Sequence, residues 1–230
     1  MTPKGSLTKA DQVSDEGSTT DLPAPADSGQ GSASQSVRPG NLVVITGPSG
    51  VGKGTVVQKL LHLVPGLTRS VSVTTRPKRA EEVEGVDYFF RTREEFEKMA
   101  ADRAFMEWAE FAGSLYGTPR AWVEDTLRSG KDVLLEIEVQ GAKQIRERFP
   151  EAVLIFLSPP DFQVLESRLK GRATESADKI ALRLEKARDE LRQRHLFHYE
   201  VVNDNLEEAV NNLVHIMYAE RCRIRPPHGD

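Results

Sequence analysis

Residues 42–61 read Leu42-Val43-Val44-Ile45-Thr46-Gly47-Pro48-Ser49-Gly50-Val51-Gly52-Lys53-Gly54-Thr55-Val56-Val57-Gln58-Lys59-Leu60-Leu61. The apolar, β-branched start is a buried strand and the end is helix-like, so the glycine-rich segment joins a strand end to a helix start. That is the place of a phosphate-binding loop. Gly47, Gly50 and Gly52 permit a tight turn that brings backbone N–H groups close to an anion. The helix N-terminus behind them adds partial positive charge, and Lys53 supplies a mobile charge for the β- and γ-phosphates. Ser49, Gly50, Val51, Gly52, Lys53, Gly54 and Thr55 are therefore the candidate site for a nucleoside triphosphate. A glycine-rich turn with a surface lysine is the bland alternative, and the register of strand, loop and helix weighs against it. A Ser or Thr hydroxyl for Mg²⁺ usually follows the loop lysine. Here Gly54 follows, so the metal is expected to be held largely through water and phosphates, with Thr55 the one candidate ligand.

Composition narrows the class. The 230 residues have room for one α/β domain of about 190 residues and a tail. A formal net charge of -4 leaves no electrostatic footprint for nucleic-acid binding. The single cysteine, Cys222, rules out an internal disulfide and a cysteine-based zinc cluster and suits a reducing cytoplasm. No run reaches membrane-spanning length, and the N-terminus lacks the apolar core of a signal peptide. The expectation is a cytoplasmic enzyme with neither nucleic-acid nor membrane partners; the sequence leaves its oligomeric state open.

Residues 1–40 contain no aromatic and no isoleucine and are rich in Ser, Gly, Asp, Thr and Pro, so a disordered tail is expected. From residue 41 to 223 the elements alternate, and residues 224–230 form a short C-terminal tail. Strands are expected at Leu42–Thr46, Arg69–Thr74, Asp87–Phe90, Phe105–Phe111, Val133–Val139, Ala152–Leu157 and Glu200–Val202. Helices are expected at Lys53–Leu63, Arg93–Ala101, Pro119–Arg128, Gly141–Arg148, Asp161–Lys170, Ala177–Arg194 and Leu206–Arg223. Near-continuous apolar strands alternating with helices imply an α/β fold, a parallel sheet covered on both faces. Ligands bind such sheets at the carboxyl ends of strands. The phosphate loop, the chain after Ser72 and Glu136–Gln140 should thus converge on one site.

A second constellation lies in Ser72-Val73-Thr74-Thr75-Arg76-Pro77-Lys78-Arg79 and Glu84-Gly85-Val86-Asp87-Tyr88-Phe89-Phe90. Arg76 and Arg79 can present two guanidinium forks, and Tyr88 and Tyr116 two hydroxyls, around a second phosphate. Taken alone, two loop arginines are usually solvated surface charge.

In order along the chain, Gly47–Lys53, Ser72–Arg79, Gly85–Phe90, Phe105–Phe111, Tyr116–Thr118, Glu136–Gly141, Gly171–Thr174, Arg183-Leu184 and Val201–Asp204 resemble guanylate kinase of the bacterial type, over about residues 41–223. The Ser72–Tyr88 and Glu107–Thr118 blocks are more specific than the phosphate loop, which many ATPases share, and Gly54-Thr55 after Lys53 is similar to adenylate kinases. The resemblance implies the P-loop nucleoside monophosphate kinase fold, with a small GMP-binding subdomain at about 75–118 and a helical lid at about 171–185. It implies transfer of the γ-phosphoryl of ATP, with Mg²⁺, to GMP. Arg76, Arg79, Tyr88 and Tyr116 would bind the GMP phosphate, and Ser72, Glu107 and Thr118 would read guanine. A carboxylate can accept from guanine N1–H and N2–H₂ together, whereas adenine shows an acceptor at N1 and no 2-amino group. Arg172 and Arg183 match lid arginines that stabilise charge on the transferring phosphoryl and join Lys53 and Arg79 in the implied catalytic set. Asn203 and Asp204 match the segment near the adenine of ATP, or cap the last helix.

Three departures stand out. Glu136 and Glu138 occupy positions where the family usually has aspartates, so their contacts to GMP or hydrated Mg²⁺ shift by a methylene. Arg76-Pro77-Lys78-Arg79 replaces Arg-x-Pro-Arg, and Ala173 replaces a glycine after Arg172. The alternatives are a kinase for another nucleoside monophosphate, which Glu107 argues against, and an inactive guanylate-kinase-like binding module, which the retained Lys53 argues against.

Overall fold

A computed structural model describes residues 38–170 and 177–224. Its centre is a parallel sheet of β1 (Leu42–Thr46), β2 (Leu67–Arg69), β7 (Asp132–Glu136), β8 (Val153–Ser158) and β9 (Tyr199–Val202), in the order β2-β7-β1-β8-β9. β1 and β8 are buried along their whole length, which explains their unbroken apolar sequences. Alternate side chains feed two cores. Val43, Ile45 and Ile155 pack with Val57 and Leu60 of α1 (Lys53–Leu63) and Leu213 and Met217 of α7 (Leu206–Cys222). Val44, Leu135 and Leu154 pack on the other face with Val123 of α3 (Arg120–Arg128) and Ile145 of α4 (Val139–Arg148).

A second, mixed sheet is built from β3 (Val73–Thr74), β4 (Phe89–Phe90), β5 (Phe105–Phe111) and β6 (Ser114–Pro119), in the order β4-β3-β6-β5. Helix α2 (Arg93–Ala101) covers it. A reciprocal capping box between Thr92 and Glu95 starts that helix, and Phe96 stacks on Phe105 with ring centroids 4.5 Å apart. Between β8 and β9 lie α5 (Phe162–Lys170), α6 (Ala177–Arg192) and a short 3-10 turn at Arg194–Leu196.

Several elements differ from the sequence expectation for identifiable reasons. The expected strand Arg69–Thr74 is two strands in different sheets. Ser70 N–H still donates to Leu134 on β7, but Ser72 C=O accepts from Phe89, so the chain changes partners across Val71. Strand β6 was not expected. It pairs with β5 through Ala112-Gly113, both at positive φ (50° and 79°), a primed turn without the usual Asn-Gly or Asp-Gly signal. β7 stops at Glu136, and α4 starts at Val139 with Glu138 as its N-cap. β4 is shorter than Asp87–Phe90, Pro119 caps α3 from the end of β6, and α6 gives way to the 3-10 turn after Arg192. Among the described residues no helix is long and apolar enough to cross a membrane.

Candidate active site

The loop after β1 has Gly50 and Gly52 at φ 86° and 97°, conformations that side chains disfavour. Gly52 is the N-cap of α1, so the first amides of that helix face the loop. Three side chains brace this cradle, two from outside and one from the loop's own lysine. Asn203, buried after β9, donates Nδ2–H to Val51 C=O at 2.8 Å. Arg183 of α6 donates from Nη2 to Ser49 Oγ at 2.6 Å. Lys53 Nζ crosses the loop to Gly47 C=O at 2.6 Å and stands 3.9 Å from Glu138 Oε1. Thr55 is exposed on the helix, and Gly54 lines the cleft, where an added Cβ would meet Glu136 Oε1 at 3.6 Å.

From the loop a cleft of about 380 Å³ runs toward the mixed sheet. It brings together Lys53, Gly54, Ser72, Tyr88, Glu107, Tyr116, Glu136 and Glu138, all expected from the sequence. Arg69, Ser70, Asp87 and Phe111 also line it and were not expected. Arg69 lies 3.9 Å from Glu136 and gives that carboxylate a second cation beside Lys53. Burial nonetheless pushes the Glu136 carboxyl up, against the pull of both.

Glu107 is the most unusual group. It sits on β5 where the register with β6 slips between Phe105 and Trp108, a bulge that re-aims the side chain. Its residue is 3% exposed, and its Oε1 accepts from Thr118 Oγ1 at 2.6 Å. Burial raises its carboxyl to about 7 against the opposing pull of Thr118 and the Arg148 charge. Gly141 on α4 is what lets the helix come so close: a Cβ there would lie 2.1 Å from Glu107 Oε2. Thr118 thus stands behind Glu107 and does not itself line the cleft.

The arginines are engaged within the protein. Arg76 Nη2 contacts Glu82 Oε1 at 2.5 Å, and its guanidinium lies 5.5 Å from the Tyr88 ring centroid. Arg79 is more exposed, 4.0 Å from the same Glu82 oxygen, and its backbone N–H donates to Glu82 Oε2. Neither arginine lines the cleft in this arrangement. Glu82 escaped the sequence reading; its place three residues after Arg79 in a charged run was the available signal. Asp204 is exposed, and Asn203 is occupied with the loop backbone. Asn205, not either of these, caps α7. Arg172 lies outside the described residues.

A glycine loop at the end of a central parallel strand, facing a small mixed sheet that holds a buried carboxylate across one cleft, defines a P-loop nucleoside monophosphate kinase fold. A family model described as guanylate kinase matches residues 39–220. The chain is 51% identical to guanylate kinase of Lactococcus lactis over 185 residues, 80% of this chain and 90% of the relative. It is 55% identical to that of Thermus thermophilus over 184 residues, 80% of this chain and 83% of the relative. The crystal structure of guanylate kinase from Anaplasma phagocytophilum superposes with a TM-score of 0.68 at 35% identity, covering 81% of this chain and 88% of that one. The chain belongs to the guanylate kinase family.

Proposed function

We propose that the chain transfers the γ-phosphoryl group of ATP to GMP, giving ADP and GDP, in one in-line step. The observation that carries this reading is the placement of Lys53 and the buried Glu107 in a single cleft, a donor-phosphate cation facing a carboxylate suited to guanine. Two substrates held this way react without dilution, and the protein contributes positioning and charge.

On this reading the loop amides and Lys53 hold the β- and γ-phosphates, and Arg183 brings positive charge to the transferring group from α6. Tyr88 and Tyr116, with Arg76 and Arg79, take the GMP phosphate. That needs both arginines to exchange Glu82 for the phosphate. Glu107 accepts from N1–H and N2–H₂ of guanine, with Thr118 fixing its carboxylate and Ser72 adding a hydroxyl at the cleft wall. Asn203 acts by holding Val51, one step removed from the nucleotide.

Mg²⁺ fits the donor set. Glu136 and Glu138 offer hard carboxylate oxygens at the cleft, as such an ion requires. Among the described residues no cluster of three or more His, Cys, Asp or Glu could hold a metal alone, so phosphates and water would complete the shell. When bound, the ion neutralises charge on the phosphates. A cytoplasmic place in purine nucleotide metabolism goes with these substrates and with the single free Cys222.

A coupled assay of ADP release from ATP in the presence of GMP, AMP, CMP or UMP tests the reading. Turnover selective for GMP supports it; turnover selective for another base, or none with folded protein, overturns it.

A further inference from the structure

Helix α6 carries Arg183, Lys186 and Glu190 at a spacing of three and four residues, hence on one face. Arg183 reaches the phosphate loop at Ser49. Lys186, one turn on, has three partners from three parts of the molecule. Its Nζ stands 3.4 Å from Glu138 Oε2, at the N-cap of α4. It lies 3.8 Å from the centroid of the Phe111 ring, on the outer strand of the mixed sheet. It is also 3.7 Å from Glu190 Oε1, a residue 4% exposed that has no other ion pair among the described residues. Glu138 divides its oxygens, Oε1 toward Lys53 and Oε2 toward Lys186. Basic and acidic side chains therefore alternate from the phosphate loop into the helix: Lys53, Glu138, Lys186 and Glu190, the last with a carboxyl that burial raises to about 7.

We propose that Lys186 is a positioning residue that fixes α6, and with it Arg183, over the cleft by bracing the helix against Glu138 and Phe111. The inference rests on the kinase reading above and names a residue that reading does not use. Three observations support it. The ammonium over the Phe111 ring joins α6 to the acceptor sheet, whereas Arg183 joins it to the donor loop, so one helix face touches both substrate sides. Glu138 faces Lys53 with Oε1 and Lys186 with Oε2, so one carboxylate spans the phosphate loop and α6. Glu190 lies behind Lys186 and holds its ammonium toward the helix. Lys186 acts through Arg183 and needs no substrate contact of its own.

Lys186→Met keeps helix propensity and stem volume while removing the charge. Loss of a cation–π contact and a partly exposed ion pair corresponds to roughly tenfold. The expected result is a kcat about tenfold lower, a thermal midpoint lower by no more than about 3–6 °C, and faster hydrogen exchange across α6 amides in the substrate-free protein. Lys186→Arg, which keeps the charge and stacks on Phe111, restores most of both. Phe111→Leu reproduces the α6 exchange effect in part. In an Arg183→Ala background, Lys186→Met lowers kcat by less than about twofold, since the residue through which it acts is gone.

Unchanged α6 exchange in Lys186→Met overturns the inference, whether or not the parent protein turns over GMP. So does an equal loss of kcat in both backgrounds. A parent protein that shows the exchange response but phosphorylates no GMP refutes the proposed function and leaves the brace standing.

Discussion

Glu107→Gln separates what the buried carboxylate costs the fold from what it gives the site. The swap keeps shape and the acceptor for Thr118 Oγ1, and it removes the charge. Burial raises the Glu107 carboxyl from 4.5 to about 7, a gap corresponding to roughly 3 kcal/mol. The sign follows from the raised value: the folded chain holds this proton more tightly than the unfolded chain. The favourable contribution is complete below the unfolded value of 4.5 and disappears as pH climbs through about 7. Above that, the wild-type cleft carries an ionised carboxylate whose hydrogen-bonding side-chain partner is one hydroxyl. Glutamine does not titrate. Denaturant melts of the substrate-free proteins should therefore show Glu107→Gln about 1–3 kcal/mol more stable at pH 8, with the advantage shrinking through pH 7 to 5 and gone below about pH 4.

Function should move the opposite way. Glutamine can accept from one guanine donor but turns an N–H₂ toward the other, so kcat/KM for GMP should fall by roughly 10²-fold. A preference over AMP of about 10⁴ should narrow accordingly. IMP, lacking the 2-amino group, should lie between GMP and AMP. In the wild type kcat/KM for GMP should decline below pH 7 because binding must expel the Glu107 proton. The substrate phosphate titrates near 6 in both proteins, so the ratio of wild type to variant isolates Glu107. A variant less stable than wild type at pH 8 would refute the burial argument, and an intact GMP preference would remove Glu107 as the base reader.

Other perturbations test the remaining parts. Lys53→Ala should cut turnover by roughly 10²-fold or more while GMP binding, measured by calorimetry, stays near normal. Arg183→Ala should lower kcat by about 10³-fold with a smaller change in the KM for GMP; an unchanged kcat would strike it from the catalytic set. Asn203→Ala leaves Val51 C=O without its 2.8 Å donor, which should cost about 1–2 kcal/mol in melts and raise the KM for ATP but not for GMP. Gly141→Ala should weaken GMP binding and the preference over AMP although alanine favours helix by about 1 kcal/mol, because the new Cβ would sit 2.1 Å from Glu107 Oε2. Retained GMP kinetics in that variant would show that α4 and β5 can part at little cost.

What the sequence disclosed about this molecule was local or periodic. The phosphate loop is legible because strand, glycines, lysine and helix are contiguous, and α1, α2 and β5 emerged with their observed bounds. The break between β2 and β3 was not legible, since Arg69–Thr74 is uniformly strand-like and only the partners, Leu134 for Ser70 and Phe89 for Ser72, change across it. β6 was hidden by a turn of Ala112-Gly113 that lacks the preferred residues. In the site, Glu107 and Tyr88 could be named, but the burial that perturbs Glu107 depends on Gly141, thirty-four positions away in the chain. Lys186 was illegible for another reason, and Glu82 offered only its spacing from Arg79: charged residues in charged runs reveal a role once tertiary partners are known.

The cleft treats its two kinds of charge differently, and on the proposed roles this decides where selectivity comes from. Arg76 and Arg79 already share Glu82, and Lys53 has Glu138 nearby. A substrate phosphate that reaches these cations replaces one anion with another, and part of the attraction offsets the contact that is lost. Among the described residues Glu107 has no ion pair to give up; its side-chain hydrogen bond is with Thr118, and burial has raised its proton affinity to about 7. Guanine would add two donors to that carboxylate without displacing a cation, and charge-assisted hydrogen bonds of this kind are about twice as strong as neutral ones. The phosphate contacts would then chiefly position the acceptor, while the net gain falls on the base. Adenine would make the same phosphate contacts and present a lone pair to Glu107. The internal ion pairs of the arginines weaken the phosphate contacts of every nucleoside monophosphate alike, so they cancel from the comparison of GMP with AMP, and discrimination rests on what the base gives or denies Glu107.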